Sequence, residues 1–188
     1  MIGVYIDNNV WDFLFERGLE LHEELPKPEF CLAMTREAEF EIPPIPDDKA
    51  ELKAYIDRTI KEGVVTVALF GFGNPDLPPG EQRVAGFDRG SFASEEMIEF
   101  AKLQRTPLGK RLNEKTRLYR GEADKAIAAR SLHNVVLTLD AKKGPIQDAY
   151  KAGGKVVFLS EFDESGLTLK EYVLAALAEH PSRTSPPS

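Results

Sequence analysis

Cysteine, histidine and tryptophan are scarce in this chain, with one Cys, three His and one Trp in 188 residues. The single Cys31 excludes an internal disulfide framework and any cysteine-based zinc cluster. It sits in the apolar run Phe30-Cys31-Leu32-Ala33, where a buried structural thiol is expected rather than a nucleophile. His22, His133 and His180 share no metal-ligand spacing; the first and last are expected at the surface, and His133 in a loop or capping role before a strand. Long hydrophobic runs are missing too. The longest, Val64 to Phe72, is broken by Thr66 and Gly71 and is too short to span a bilayer. The opening residues Met1-Ile2-Gly3-Val4-Tyr5-Ile6-Asp7 carry no basic region, which argues against a signal peptide and makes a cytoplasmic location the expectation. No phosphate-cradling or dinucleotide motif is present, since Gly71-x-Gly73 lacks the remaining glycine spacing and a following helix signal. Ser91 and Ser94 have no His and Asp arrangement around them, so serine hydrolysis is unsupported.

Positive charge is also in deficit. The net charge of −7 argues against a general nucleic-acid-coating protein. It is compatible with a site that concentrates carboxylates around cations, because bound divalent ions reverse the local sign. The basic residues that exist cluster: Arg105, Lys110, Arg111, Lys115, Arg117, Arg120, Lys125 and Arg130 fall in one stretch. A phosphate-tracking patch and a solvated helix face are equally good readings of it. An apolar share of 42% and a charged share of 29% fit one globular domain, expected over residues 1–179, with a Pro-rich disordered tail over 180–188.

The pattern along the chain alternates strand and helix. Ile2 with Val4-Tyr5-Ile6 reads as a buried strand ending at Asp7. Asn8 or Asn9 then caps a helix from Val10 to about Leu21. Phe30 to Met34 is a second strand, and Thr35 caps a helix through Ile42, stopped by Pro43-Pro44. Asp47-Asp48 reads as the cap of an amphipathic helix that ends at Gly63. Val64 to Phe92 reads as a hairpin with a long, turn-rich tip. Helices follow from Ser94 to about Gln104 and from Gly121 to Leu132. Then come strand Val135–Leu139 ending at Asp140, a helix near Ile146–Ala152, strand Lys155–Leu159 and a last helix Leu167–Leu177. This alternation predicts an α/β domain, a three-layer α/β/α sandwich on a mostly parallel sheet, with an inserted hairpin and helical segment at about 64–118.

Ligands of parallel sheets gather at the carboxyl ends of strands. Asp7 and Asp140 each directly follow a β run, so both fall on that edge. For either residue alone, loop opening or helix capping is the commoner use. As a pair they carry more, and Glu37, Glu41 and Asp124 are placed to join them, the first two sharing a helical face. Converging carboxylates repel unless cations occupy the space between them, and an all-oxygen set suits Mg²⁺ or Mn²⁺.

At this point the chain resembles the PIN domain, the PilT N-terminus-type nuclease family. Asp7-Asn8-Asn9-Val10 matches the opening Asp-Ser/Thr-Asn-Val pattern, with Asn8 at the hydroxyl position. Glu41-Ile42, Asp124-Lys125-Ala126-Ile127-Ala128-Ala129 and Thr138-Leu139-Asp140 match the later blocks, in order. The stretch from Val64 to Arg120 has no counterpart in this resemblance. The resemblance implies an endoribonuclease in which Asp7, Glu41, Asp124 and Asp140 hold Mg²⁺ or Mn²⁺, with Glu37 as the alternative second acid. Asn8, Asn9 and Thr138 would orient the ligands. It also implies an RNA substrate and allows the toxin of a toxin–antitoxin pair, with an antitoxin protein or a homodimer as partner. The competing expectation is a PIN-fold binding or scaffold protein with a weak or inactive site. A haloacid-dehalogenase-type phosphatase would need an Asp where Asn9 stands, and the 7–140 arrangement does not supply the acids of a receiver domain. Trp11 reads as core packing in preference to base stacking, and the glycine–phenylalanine turns at Gly71–Gly73 and Gly86–Gly90 as structural turns.

Overall fold

A computed structural model of the protein describes residues 1–70, 90–103 and 113–180. Six strands form one sheet: β1 Ile2–Ile6, β2 Phe30–Thr35, β3 Val65–Phe70, β4 Gly90–Phe92, β5 Val135–Thr138 and β6 Val156–Phe158. Their order is β4-β3-β2-β1-β5-β6, and every neighbouring pair is parallel. The nine α-helices among the described residues are α1 Asn9–Glu16, α2 Leu21–Glu24, α3 Arg36–Glu39, α4 Ala50–Lys61, α5 Glu95–Leu103, α6 Glu122–Arg130, α7 Pro145–Lys151, α8 Phe162–Ser165 and α9 Leu169–Glu179.

Strand periodicity divides the core between the two faces of the sheet. Val4 and Ile6 pack into one cluster with Trp11 and Leu14 of α1, Leu52, Tyr55 and Ile56 of α4, and Leu169 and Val173 of α9. Tyr5, between them, joins the opposite cluster with Ile127 and Ala128 of α6 and Ile146 and Ala149 of α7. Helices thus cover both faces of a parallel sheet, as the alternation predicts. Burial on both faces explains why β1, β2 and β5 read as nearly unbroken apolar runs. Among the described residues no helix is long and apolar enough to cross a membrane.

Several expected elements differ in detail. The helix expected to run from Val10 to Leu21 stops at Glu16, because Gly18 takes a left-handed backbone with φ of 61° and the chain restarts as the separate α2. Neither asparagine caps α1 through its side chain. Asn8 already has a helical backbone, and both amides are engaged elsewhere. Thr35 does cap α3, its Oγ1 accepting from Ala38 N at 3.1 Å, but the helix ends at Glu39 instead of reaching Ile42. Glu41 therefore lies in a turn, and Glu37 and Glu41 do not share a helical face. Asp47 and Asp48 make no side-chain cap; they form a 3-10 turn, Asp47–Lys49, leading into α4.

The expected hairpin is also overturned. β3 and β4 are both strands, yet they pair parallel, Ala68 opposite Gly90 and Phe70 opposite Phe92. An apolar run carries no direction, and parallel neighbours need a crossover rather than a tight turn. The expected hairpin tip lies at 71–89, outside the described residues, as do Gly71–Gly73, Gly86, Arg105, Lys110, Arg111 and the tail from 181. His180, expected at the surface, is buried, with Nε2 at 2.7 Å from Gly154 O. His22 is half-buried, with Nε2 at 3.0 Å from Thr59 O. Cys31, expected buried, is half-buried.

Candidate active site

The chain leaves β1 for β2, β3 and β4 on one side, then returns to the other side of β1 with β5 and β6. The strand order reverses between β1 and β5, and that reversal opens a crevice at the carboxyl ends of the two strands. Asp7 follows β1 directly, and Asp140 follows β5 after one intervening residue. Sequence position therefore delivers two carboxylates to the place where the strand order of the described sheet reverses.

A hydrogen-bond network ties the two strand ends together. Asp7 Oδ2 accepts from Thr138 Oγ1 and from Asn9 Nδ2, each at 2.7 Å, while Oδ1 accepts from Asn8 N at 2.8 Å. Thr138, fully buried, is the hub. Its hydroxyl donates to Asp7 and accepts from Asp140 N at 3.0 Å and Asn9 Nδ2 at 3.3 Å, which uses its one donor and both lone pairs. Asn9 Oδ1 closes the circuit by accepting from Leu139 N at 2.9 Å. Asp140 Oδ1 accepts from Lys142 N at 3.0 Å, a local turn that fixes the residue after the strand.

The turn after α3 brings in Glu41. Asn8 Nδ2 donates to Glu41 Oε2 and to Ala38 O, the latter at 3.0 Å, so the asparagine holds the Glu41 carboxylate in place. Glu37, the alternative second acid, is buried and its charge acts on Arg130. Asp124 comes from the first turn of α6 and stands exposed.

The electrostatics register this convergence. Burial pushes the Asp7 carboxyl above its ordinary value. Hydrogen bonds from Thr138, Asn8 and Asn9 pull it back, and the charge of Asp124 adds to the rise. Burial also raises Glu41, opposed by its bond from Asn8 and reinforced by Asp124 and Asp7. Surrounding protein raises Asp124, as does Asp140, though water in the open cleft screens part of this. All four predicted acids thus sit within electrostatic reach of at least one other.

Beside them opens a cleft of about 490 Å³, lined by Asp124 and Asp140 and by Arg120, Lys125, Lys142 and Lys143. Of the basic stretch read from the sequence, Arg120 and Lys125 reach this cleft. Arg130 does not: it is buried, its guanidinium 5.0 Å from the centre of the Tyr5 ring and its Nη2 donating to Val67 O at 3.0 Å. Lys142 and Lys143 were missed by sequence reasoning, although a basic doublet two residues after a strand-end Asp is a readable signal.

The donor set fits a hard divalent cation in chemistry, all carboxylate oxygen with hydroxyl and amide support. It is an open set. Among the described residues no group of three or more His, Cys, Asp or Glu is drawn tightly enough together to hold a metal ion. Mg²⁺ would need the least change to such a set, since it keeps several waters and uses one or two carboxylates directly. Ser94 and His133, by contrast, do not form a hydrolase pair despite 2.7 Å between Oγ and Nε2. Glu96 approaches the same Nε2 rather than Nδ1, and Ser94 Oγ caps α5 by accepting from Met97 N. No family model, curated protein or solved structure matches the chain.

Proposed function

We propose that this chain is a PIN-like endoribonuclease that uses Mg²⁺ or Mn²⁺ at the β1/β5 crevice. One observation carries the reading. Asp7 and Asp140 follow neighbouring parallel strands, Asp124 and Asp140 line a cleft with four basic side chains, and the charge of Asp124 reaches both Asp7 and Glu41. An acidic centre with a basic rim suits a phosphodiester: cations hold the reacting phosphate and arginine or lysine hold its neighbours.

Asp7, Glu41, Asp124 and Asp140 would hold the ion, which when bound supplies Lewis-acid activation of water and neutralises charge on the transferring phosphate. The chain's own residues do the positioning. Thr138 and Asn9 fix Asp7 Oδ2, leaving Oδ1 with a free lone pair beyond its bond from Asn8 N. Asn8 aims Glu41. Arg120, Lys125, Lys142 and Lys143 bind the flanking phosphates and set the strand across the crevice. Hydrolysis forms one bond from water oxygen to phosphorus and breaks one to a ribose oxygen, which leaves with a proton. A toxin is one form of this proposal, silenced by an antitoxin protein that covers the crevice.

A second reading has an observation in its favour. The acids are not gathered into a ready cage, which suits a PIN-fold binding or scaffold protein with a weak site. Labelled single-stranded RNA incubated with wild type and Asp7→Asn, in Mn²⁺, Mg²⁺ and EDTA, separates the two. Cleavage that requires metal and vanishes in the variant supports the nuclease. No cleavage in either metal, with no metal binding by calorimetry, removes it and leaves the scaffold.

A further inference from the structure

A second cleft, of about 300 Å³, is lined by the start of α1, the turn at 41–49 and α4. Its walls are apolar, formed by Trp11, Ile42, Ile45, Leu52 and Ile56, and Asn8 and Glu41 line it too. We propose that it is a pocket for one nucleobase of the substrate strand, next to the phosphate that is cut. This rests on the ribonuclease reading above.

Three observations identify the occupant. The first is hydrogen-bonding capacity left over in the wall. Trp11 is 1% exposed, and its Nε1–H meets no acceptor among the described residues; Asn8 Oδ1, also buried, meets no donor among them. The two residues are three apart and so share one face at the start of α1. A donor and an acceptor on two lining residues match the edge of a nucleobase, which presents both, and apolar walls match its faces. The second is charge. Glu41 and Asp12 line the cleft, and the one cation among the described residues that line it, Lys49, is bound to Asp12 at 2.6 Å. A phosphate or carboxylate is repelled from such a site, whereas a neutral flat ring is not. The third is continuity. Asn8 lines this cleft and holds Glu41, which acts electrostatically on Asp7 and Asp124 of the crevice. Asp124 in turn lines the basic cleft, with Asp140. A strand laid across the crevice would place charged phosphates in the basic cleft and one splayed base in the apolar one. The volume lies at the lower end of small-molecule sites. Trp11 Nε1 and Asn8 Oδ1 are both covered in the free protein, so engagement of the base edge shifts both side chains toward the cleft.

Trp11 is the only tryptophan in the chain, so its emission reports directly on this cleft. Wild type in EDTA is titrated with each of the four nucleoside monophosphates, with ribose phosphate, and with a capped glutamine amide standing for a protein side chain. The expected result is a saturable emission change with at least one nucleotide, none with ribose phosphate, and binding weakened by about tenfold or more in Ile45→Glu. Ile45 is half-buried, and circular dichroism checks that the variant folds. Trp11→Phe, which keeps an aromatic ring and removes the N–H, supplies an independent readout: its cleavage sites lose the wild-type base preference. Emission unchanged by every nucleotide, or changed equally by ribose phosphate, overturns the pocket. A response to the glutamine amide alone overturns it as well and assigns the cleft to a protein side chain. Because the titration needs neither metal nor hydrolysis, the two readings fail separately. Metal-dependent cleavage with a silent Trp11 removes only the pocket, and nucleotide binding without cleavage removes only the nuclease.

Discussion

On the β1 side of the crevice Asp7 is held by hydrogen bonds from Asn8, Asn9 and Thr138, and the Thr138 hydroxyl in turn has its donor and both lone pairs in use. On the α6 side Asp124 is exposed, and its neighbours are long basic side chains around an open cleft. Both sides contribute carboxylates, yet one is locked to the sheet and the other is wet. A locked acid fixes where a cation and a phosphate sit, because its orientation costs nothing further when they arrive. A wet acid among lysines contributes charge that adjusts to what is bound. The two halves should therefore respond to mutation on different scales.

The largest effect belongs to the locked side. Asp7→Asn removes the best-positioned charge while keeping a side chain that can still accept from Thr138. Cleavage should fall by more than the roughly 10–100-fold that a supporting partner is worth. Asp124→Asn should fall by less. Initial rates on a labelled RNA measure both, and a larger loss for Asp124→Asn would break the comparison. Next in size is Thr138→Val, which keeps the shape and removes the hub. That change removes the bonds that Asp7 Oδ2, Asp140 N and Asn9 Nδ2 make to the hydroxyl, leaving only the Asn9 bond on Asp7 Oδ2, and a fall of about 10–100-fold in kcat is expected. Thr138→Ser, which restores the hydroxyl, should recover most of it.

How far these roles could be read from sequence depends on what kind of signal each residue emits. The strand ends were legible because a buried parallel strand is an apolar run, and Asp7 and Asp140 stand where such runs stop. The alternation of runs also gave the parallel sheet and its helices. Direction was lost at β3 and β4, since apolar pattern is the same for parallel and antiparallel partners. Glu41 was chosen on the residue that follows it, and the structure places it by the Asn8 bond instead, in a turn and off the helix. Asn8 and Asn9 looked like helix caps because asparagine satisfies either backbone or side-chain partners, and only the fold decides which are near. Arg130 looked like one more basic residue, yet its long stem follows α6 inward to Tyr5. Exposure, which decides whether a cation faces phosphate or core, is not written in residue type.

The wet side should show itself through salt. Lys142→Glu and Lys143→Glu alter side chains that border the basic cleft, outside the hydrogen bonds that hold Asp7. For each phosphate that the protein no longer neutralises, the slope of log affinity against log salt should flatten by about 0.7 for a single strand. Filter binding of RNA to Asp7→Asn, with and without each lysine change, measures this without turnover. An unchanged slope would mean that the strand does not cross this cleft.

The smallest expected effect is on stability, and it tests both sides at once. Asp7, Glu41 and Asp124 all have carboxyls raised above their ordinary values of 3.8 and 4.5 in the folded chain, burial being the first cause in each. Between those ordinary values and the raised ones the folded chain binds more protons than the unfolded chain, so stability falls as pH rises through that interval. In EDTA the melting temperature should therefore climb as the pH is lowered from neutral into the interval. Below the ordinary values Asp163, Glu96 and Glu171 work the other way, since hydrogen bonds, from Arg17 at Asp163, from the backbone and Ser94 at Glu96 and from Thr168 at Glu171, hold their carboxyls below those values. Each kcal/mol is worth roughly 2–4 °C in a chain of this size, and screening at exposed Asp124 trims its share. Mg²⁺ or Mn²⁺ at neutral pH should raise the melting temperature in the same sense as protons, and its benefit should shrink as the pH falls. Asp7→Asn should flatten the pH dependence more than Asp124→Asn does, because the locked and more deeply buried carboxyl carries the greater cost of being charged. Equal flattening by both variants would mean that the four acids act as one pool of charge rather than as a fixed half and an adaptable half.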